Sequence, residues 1–285
     1  MTIKDYRSHF IQTLTPLYDA EEADRFFIIS LEELKGWRRV DFALNPEAVL
    51  SQDEIDRWTS VLAQLQIHRP IQYIFGKSYF YGLDFTVNEN TLIPRPETEE
   101  LVDWVIAENK GKSFEIIDIG TGSGCIAISL AKNLHQAKVS AMDISTGALA
   151  VAKTNAAQND AFVNFIQQDV LALSELPQKY DVIVSNPPYV RELEKAEIQP
   201  NVLDFEPHLA LFVSDTDPLL FYRKIAQLAR VGLNPGGRLY FEINQYLGPE
   251  TVEMLEDHGF DDVVLRTDMY GNNRMIACVF KGNPS

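Results

Sequence analysis

Apolar residues recur with a helical period through the first quarter of the sequence. The first stripe consists of residues three or four positions apart, namely Tyr6, Phe10, Leu14 and Leu17. Ser51 followed by Glu54 is typical of a helix N-terminus, and the apolar positions after it keep the same period. Residues 1–72 therefore predict a small helical domain whose aromatic stripe serves as its core.

The period changes after residue 72. Residues 73–93 alternate between apolar and polar positions and predict a hairpin linker, with Asn88-Glu89-Asn90 as turn residues. From residue 94 to 285, strand-like apolar runs alternate with helical stretches, and the last two runs predict an antiparallel pair. This alternation is typical of an α/β domain built on a mainly parallel sheet.

A glycine-rich turn follows the first strand-like run of the α/β domain. Residues 114–119 lead into Gly120-Thr121-Gly122-Ser123-Gly124, and a helical stretch comes next. The spacing is G-x-G-x-G, which differs from the G-x-G-x-x-G of dinucleotide enzymes. Glycines let the backbone approach a ligand closely, and Asp118 just before the turn can take the ammonium of an amino-acid-like ligand. The alternative for the turn taken alone, less favoured than ligand binding, is a packing role only.

Two further strand-like runs each end in an acid. Residues 138–143 end at Asp143, where a carboxylate can accept both hydroxyls of a ribose. Residues 162–169 end at Asp169, which could take the amino group of an adenine. Either acid taken singly is more often a solvated strand end or a helix N-cap than a ligand-binding group.

The run 180–185 ends abruptly at Asn186-Pro187-Pro188-Tyr189, because two prolines cannot continue a central strand. The side-chain oxygen of Asn186 and the carbonyl of Pro187 could accept the two hydrogens of a planar NH2 group, with the Tyr189 ring near its face. Glycine loop, acid, acid and this tetrapeptide, each at a strand end, together indicate S-adenosylmethionine and methyl transfer to an NH2 group.

This order of motifs resembles the class I methyltransferases that act on planar nitrogens. The segments Leu92-Ile93-Pro94-Arg95-Pro96-Glu97-Thr98-Glu99 and Phe205-Glu206-Pro207-His208-Leu209-Ala210-Leu211-Phe212 look like signatures of one branch, the HemK/PrmC family of peptide chain release factor N5-glutamine methyltransferases. The resemblance implies a Rossmann-like domain with a helical substrate-docking domain. It also implies S-adenosylmethionine as cofactor, S-adenosylhomocysteine as product, and the glutamine of a release factor Gly-Gly-Gln motif as acceptor.

The resemblance assigns expected roles to individual residues. The cofactor is expected along a set of strand-end residues: Asp118, Gly120, Thr121, Gly122, Ser123, Gly124, Asp143, Ile144, Asp169, Val170 and Asn186. The acceptor is expected at Asn186, Pro187, Pro188, Tyr189, Leu92 and Arg95, with Asn186, Pro187 and Tyr189 as catalytic residues. Two positions depart from the family pattern: Val170 stands where a larger side chain often packs on adenine, and Asn244 replaces a frequent glycine.

The charge balance bears on the choice of substrate. The chain has 25 Lys and Arg against 41 Asp and Glu, a formal net charge of −16. Nucleic-acid binders normally carry a basic face, so this composition disfavours a DNA or RNA substrate and suits a basic protein partner. The alternatives that stay open are a ribosomal protein glutamine, an amino-group DNA or RNA methyltransferase, and an adenosine-binding scaffold without activity.

Cysteine content and hydropathy bear on the compartment. Cys125 and Cys278 are the two cysteines, and without a C-x-x-C pair they predict neither disulfides nor a metal site. No run approaches about 18 apolar residues, and the start has no signal-peptide core. We expect a cytoplasmic protein, monomeric and without membrane contact.

Overall fold

The computed structural model describes residues 1–111 and 113–282 and divides into two compact units. The first is Met1–Gly76 with Pro200–Phe205, and the second is Lys77–Gln199 with the residues from Glu206 onward. The boundary falls at Gly76, beyond residue 72, because a short helix continues to Phe75 and Gly76 caps it at a φ of 68°. Within the described residues, no helix combines the length and the apolar composition that a bilayer crossing requires.

The first unit is helical. Its main helices are α1 (Ile3–Leu14), α2 (Ala20–Lys35), α3 (Arg39–Leu44), α4 (Gln52–Gln66) and α5 (Ile71–Phe75). Thr2, Asp19 and Ser51 cap α1, α2 and α4, and each side chain accepts a backbone N–H of the first turn. Glu54 completes a capping box with Ser51, which confirms the predicted helix start.

Aromatic rings form the core of the first unit. Phe27 stacks on Trp58 with ring centroids 5.0 Å apart, and Phe10 meets Trp58 edge to face. Tyr6 and Leu14 are also buried, whereas Leu17 is 43% exposed because α1 has already ended at Leu14. The aromatic stripe therefore serves as core packing, as the sequence predicts.

The hairpin consists of β1 (Lys77–Phe80) and β2 (Leu83–Thr86). Tyr81 and Gly82 join them with φ values of 48° and 77°, the geometry of a two-residue type I′ turn. Asn88 and Asn90 form a separate turn beyond the hairpin, in which the Asn90 N–H donates to the Asn88 side chain at 2.9 Å.

The second unit is an α/β domain. Its further helices are α6 (Pro96–Asn109), α7 (Cys125–Asn133), α8 (Thr146–Gln158), α10 (His208–Leu211), α11 (Leu220–Gly232) and α12 (Gly248–Asp257), while α9 (Pro200–Phe205) belongs to the first unit. Its further strands are β3 (Glu115–Ile119), β4 (Lys138–Asp143), β5 (Val163–Gln167), β6 (Tyr180–Ser185), β7 (Val190–Arg191), β8 (Phe212–Val213), β9 (Leu233–Glu242), β10 (Asp261–Thr267) and β11 (Asn273–Phe280). Two short 3-10 helices, Val170–Ala172 and Glu192–Glu197, complete it.

The described strands pair in the order β10-β11-β9-β6-β3-β4-β5, a seven-stranded sheet. All pairings are parallel except those of β11, which is antiparallel to β9 and β10. The neighbouring residues Ile116 and Ile117 of β3 pack into different apolar clusters, so both faces of the sheet are covered. The strand order reverses between β3 and β6, the place where open α/β sheets bind ligands.

Candidate active site

A cavity of about 360 Å³ lies at the carboxyl ends of the central strands, within the second unit. Its volume falls in the usual range for small-molecule sites. The residues that the sequence predicts for the site and that line this cavity are Leu92, Arg95, Gly120, Thr121, Gly122, Ser123, Asp143, Ile144, Asp169, Val170, Asn186, Pro187 and Pro188. Asp118, Gly124 and Tyr189 belong to the predicted set but lie off the cavity wall.

The glycine loop forms the floor of the cavity. Gly120, Gly122 and Gly124 have φ values of 78°, 54° and 82°, which side chains rarely adopt. The N–H groups of Gly120 and Thr121 donate to the carbonyl of Met142 at 2.8 and 3.0 Å. The loop is therefore fixed against the end of β4.

Asp143 joins the loop to the next helix. One carboxylate oxygen accepts the Gly122 N–H at 2.8 Å, and the other accepts the Ser145 N–H at 2.9 Å. The side chain is half-buried on the cavity wall, so each oxygen keeps a lone pair for a ligand.

Asp169 and several apolar side chains also line the cavity. Asp169 caps a 3-10 helix by accepting the Leu171 N–H at 2.9 Å, and Val170 follows it on the wall. Ile144 is 45% exposed although it is apolar, and it also faces the cavity. Apolar side chains beside a carboxylate suit a flat heterocycle that carries an amino group.

Asp118 lies beneath the loop and is fully buried. One of its oxygens accepts the Thr121 hydroxyl at 2.5 Å, and the other has no hydrogen-bond partner. Burial raises the pKa of this carboxyl to about 7. The structure thus brings Thr121, rather than Asp118 itself, to the cavity surface.

The Asn-Pro-Pro-Tyr turn closes the cavity at the end of β6. The Ser185 hydroxyl donates to the Ile119 carbonyl at 2.6 Å and ties β6 to β3 just before the turn. Asn186 is half-buried, and its Nδ2 donates to the Thr98 hydroxyl oxygen at 3.4 Å.

Tyr189 points away from the large cavity. Its hydroxyl donates to the Glu242 carboxylate at 3.0 Å, and burial together with that nearby carboxylate raises the pKa of Tyr189. Its ring helps to line a second, small cavity of about 50 Å³, together with Val190 and Glu242. Leu92, Arg95 and Asn186 line both cavities.

Glu206 joins two segments that line both cavities, residues 92–95 and residues 207–211. It is buried, accepts the Ile93 N–H at 3.0 Å, and pairs with the Arg95 guanidinium at 2.5 Å. The segment around Leu92 is thereby fixed against the segment that follows the Asn-Pro-Pro-Tyr turn.

Three polar residues contribute to the site although the sequence motifs indicate no role for them, namely Thr98, Glu242 and Asn244. Thr98 donates to Glu242 at 2.6 Å, and Asn244 donates to the Tyr189 carbonyl at 2.9 Å. Glu242 ends β9 at the same edge of the sheet as Asp143, which ends β4. Its position as a strand-end acid was therefore a usable signal. Asn244 supports the backbone of the Asn-Pro-Pro-Tyr turn, a contact that a glycine could not make.

The donor and acceptor groups of the large cavity fit S-adenosylmethionine. Asp143 offers two anchored carboxylate oxygens, one oxygen of the buried Asp118 beneath the loop has no hydrogen-bond partner, and apolar walls adjoin Asp169. Fold and site together define a Rossmann-like, S-adenosylmethionine-dependent methyltransferase with a helical N-terminal unit.

Comparison with known proteins narrows this class. Residues 98–204 match the methyltransferase small domain, and residues 7–76 match the PrmC N-terminal domain. The chain is 55% identical over 285 residues to the release factor glutamine methyltransferase of Flavobacterium psychrophilum, covering 99% of this chain and 100% of that protein. It is 47% identical over 267 residues to the one of Bacteroides thetaiotaomicron, covering 93% and 96%. The chain belongs to the family of the release factor glutamine methyltransferases.

The fold is also found in a more distant protein. A methyltransferase from Pyrococcus furiosus, known from its crystal structure, has a TM-score of 0.53 and 19% identity, covering 81% of this chain and 100% of its own. At that identity the likeness concerns the fold alone.

Proposed function

We propose that this protein transfers a methyl group from S-adenosylmethionine to the side-chain amide nitrogen of the glutamine in the Gly-Gly-Gln motif of peptide chain release factors. The proposal depends on one observation: Asn186 lines both the large and the small cavity. The 55% identity to a protein named for this activity, over the whole chain, supports the choice of acceptor. Such a substrate implies that the protein acts in the cytoplasm, where translation terminates.

The large cavity would hold the cofactor. Asp143 would accept the ribose hydroxyls, while Asp169 would take the adenine amino group, with Ile144 and Val170 against the ring. The glycine loop would lie against the amino-acid part, and Thr121 would contact it with Asp118 as its buried support.

The small cavity would hold the acceptor amide. Its volume of about 50 Å³ suits the end of one side chain, and Tyr189 and Leu92 supply apolar contact on its wall. The Asn186 side-chain oxygen and the Pro187 carbonyl would each accept one hydrogen of the NH2 group. This leaves the nitrogen between the two cavities, facing the methyl donor.

The reaction needs alignment rather than activation of the electrophile. S-adenosylmethionine supplies a methyl group on a sulfonium, which is a strong electrophile without further help. The acceptor nitrogen forms a bond to the methyl carbon while the carbon–sulfur bond breaks, its electron pair stays on sulfur, and the surplus nitrogen proton leaves to water. Holding the reactants in this arrangement contributes up to about 7–11 kcal/mol to lowering the barrier.

The chain's own groups would stabilise the positive charge that develops on the acceptor nitrogen. The oxygens of Asn186 and Pro187 hold their N–H donors more strongly as those hydrogens become more positive. No general base is required, because the proton leaves to water.

The first unit, which contains the expected docking domain of residues 1–72, would bind the protein substrate. On α3, Val40 and Leu44 lie one helical turn apart and are 51% and 75% exposed although both are apolar. An exposed apolar pair on a chain of net charge −16 suits a partner that carries basic residues around an apolar contact.

The acceptor can be tested with methyl-labelled cofactor and separate pools of release factor, ribosomal subunits and DNA. We expect label in the release factor alone, at one methyl group per chain, and none in a factor whose Gly-Gly-Gln glutamine is replaced by glutamate. Label in a ribosomal protein or in nucleic acid, with an unlabelled release factor, would contradict the proposal.

The docking role is tested by the double variant Val40→Asp and Leu44→Asp. We expect kcat/KM for the intact release factor to fall by about 10-fold, since lost apolar contact and like-charge repulsion each weaken association. Methylation of a short Gly-Gly-Gln peptide should stay within about twofold, because a peptide is too small to need this surface. An equal loss on both substrates would exclude docking at α3.

A further inference from the structure

Glu242 is a buried acid, and each of its two oxygens accepts a hydrogen bond from a hydroxyl group. Its exposed fraction is 1%, the Thr98 hydroxyl donates to Oε2 at 2.6 Å, and the Tyr189 hydroxyl donates to Oε1 at 3.0 Å. A carboxylate accepts hydrogen bonds and donates none, so both hydroxyl hydrogens point at Glu242. The second contact, from Tyr189, keeps the carboxylate from turning away from Thr98.

The direction of the hydrogen bond from Thr98 to Glu242 determines whether Thr98 can act as a donor or as an acceptor toward Asn186. With its hydrogen committed to Glu242, the hydroxyl presents lone pairs only. The Asn186 group next to it must then be the donor, and Nδ2 lies 3.4 Å from the Thr98 oxygen. The side-chain oxygen of Asn186 is consequently directed to the other side of the amide.

We propose that Thr98 and Glu242 are positioning residues that hold the amide of Asn186 with its oxygen toward the acceptor nitrogen. This inference rests on the proposed function, since it concerns the group that would receive the acceptor NH2. Asparagine amides can turn over by 180° with little change in shape, so a site that depends on one orientation requires a neighbour that selects it.

The energetic role of the contact is selection between two orientations. A hydrogen bond of 3.4 Å is long, so it adds little binding strength of its own. In the reversed amide, the side-chain oxygen would face the lone pairs of Thr98 and the NH2 group would face the acceptor NH2. Two donors would then meet with no lone pair between them. An acceptor held that way loses both its alignment and the charge stabilisation from the Asn186 oxygen.

The sharpest test compares Thr98→Val with Thr98→Ser. Valine keeps the shape and removes the hydroxyl, so kcat for release factor methylation should fall about 10-fold or more. Serine keeps the hydroxyl and should stay within about threefold of the wild type. The cofactor Kd and the KM for the intact factor should change by less than about threefold in both variants, because the amide orientation acts mainly on the transition state.

Thr251→Val is the matched control for losing a buried threonine hydroxyl. Thr251 is fully buried in the same unit and donates to the Leu247 carbonyl at 2.6 Å, away from both cavities. Its substitution should lower the melting temperature much as Thr98→Val does and leave kcat unchanged. A purely structural role for Thr98 would give the same result for both variants.

Glu242→Leu tests the same inference from the other end. Leucine offers no acceptor oxygen, so the Thr98 hydroxyl hydrogen is free to turn toward Asn186. We expect a loss of kcat similar to that of Thr98→Val, with the cofactor Kd within about threefold of the wild type.

The outcomes separate this inference from the proposed function. A wild-type protein that does not methylate release factors overturns the proposed function itself. An active wild type combined with an unchanged kcat in Thr98→Val, or in Glu242→Leu should the valine variant not fold, overturns the positioning role alone.

Discussion

Replacing Asp143 by alanine removes a carboxylate that serves the protein and the expected ligand at once. Its oxygens accept the N–H groups of Gly122 and Ser145 at 2.8 and 2.9 Å. A hydrogen bond to a charged group contributes about 1.5–3 kcal/mol, so loss of the ribose contact should raise the cofactor Kd about 10- to 100-fold. The two N–H groups left without their acceptor should lower the free energy of unfolding by about 1–3 kcal/mol as well.

Calorimetric titration with S-adenosylmethionine and urea unfolding measure the two effects separately. Asp181→Ala is the matched control, because Asp181 also accepts a backbone N–H, from Glu115 at 2.9 Å, and a second donor, from Asn234 at 2.7 Å. Asp181 lies near the amino end of β6, so its loss should lower stability and leave the Kd unchanged. A folded Asp143→Ala variant whose Kd stays within twofold of the wild type would refute the ribose role.

Two further substitutions address the rest of the site. Asn186→Ala should lower single-turnover methyl transfer about 100-fold or more while the cofactor Kd changes less than about threefold, since the amide acts mainly in the transition state; rapid-quench kinetics would measure this, and a rate close to the wild type would exclude the role. Asp118→Asn should change the pH dependence of stability. Burial raises the pKa of Asp118 to about 7, so the folded wild type holds a proton that the unfolded chain releases, and it loses stability as pH rises from about 4 to about 7. The melting temperature of the asparagine variant relative to the wild type should therefore rise by roughly 5 °C between pH 5 and pH 8, and a constant difference would show that Asp118 does not titrate in this range.

The sequence predicts the strand ends well where a strong local signal marks them. The strands β4 and β6 have the predicted bounds, because an acid or a proline pair ends each apolar run. The predicted strand 162–169 is longer than β5, which is Val163–Gln167: Phe162 is 96% exposed, and Asp169 caps a 3-10 helix instead. The apolar run 236–242 predicts a strand after a turn at Pro235 and Gly236, whereas β9 starts earlier, at Leu233.

Contacts between distant parts of the chain could not be predicted in this way. Thr98 and Glu242 are 144 positions apart, and neither local period nor spacing indicates that they meet. The burial of Asp118 is equally hidden, because whether a strand-end acid faces the cavity or lies beneath the loop depends on the packing around it. The orientation of Tyr189 could not be predicted either. Its place in the motif suggests contact with the ligand, whereas its hydroxyl donates a hydrogen bond to Glu242.

The contacts of Glu206 with Ile93 and Arg95 restrict how this side of the site can be altered by engineering or by evolution. This single buried carboxylate holds Ile93 and Arg95, which precede it by more than a hundred positions. Grafting the 92–95 segment from a relative that lacks the arginine would leave a buried charge without its cation, which is costly. The segments before α6 and after α9 therefore have to be exchanged together, although they are far apart in sequence. A chimera that is meant to accept a different protein substrate has to transfer both together.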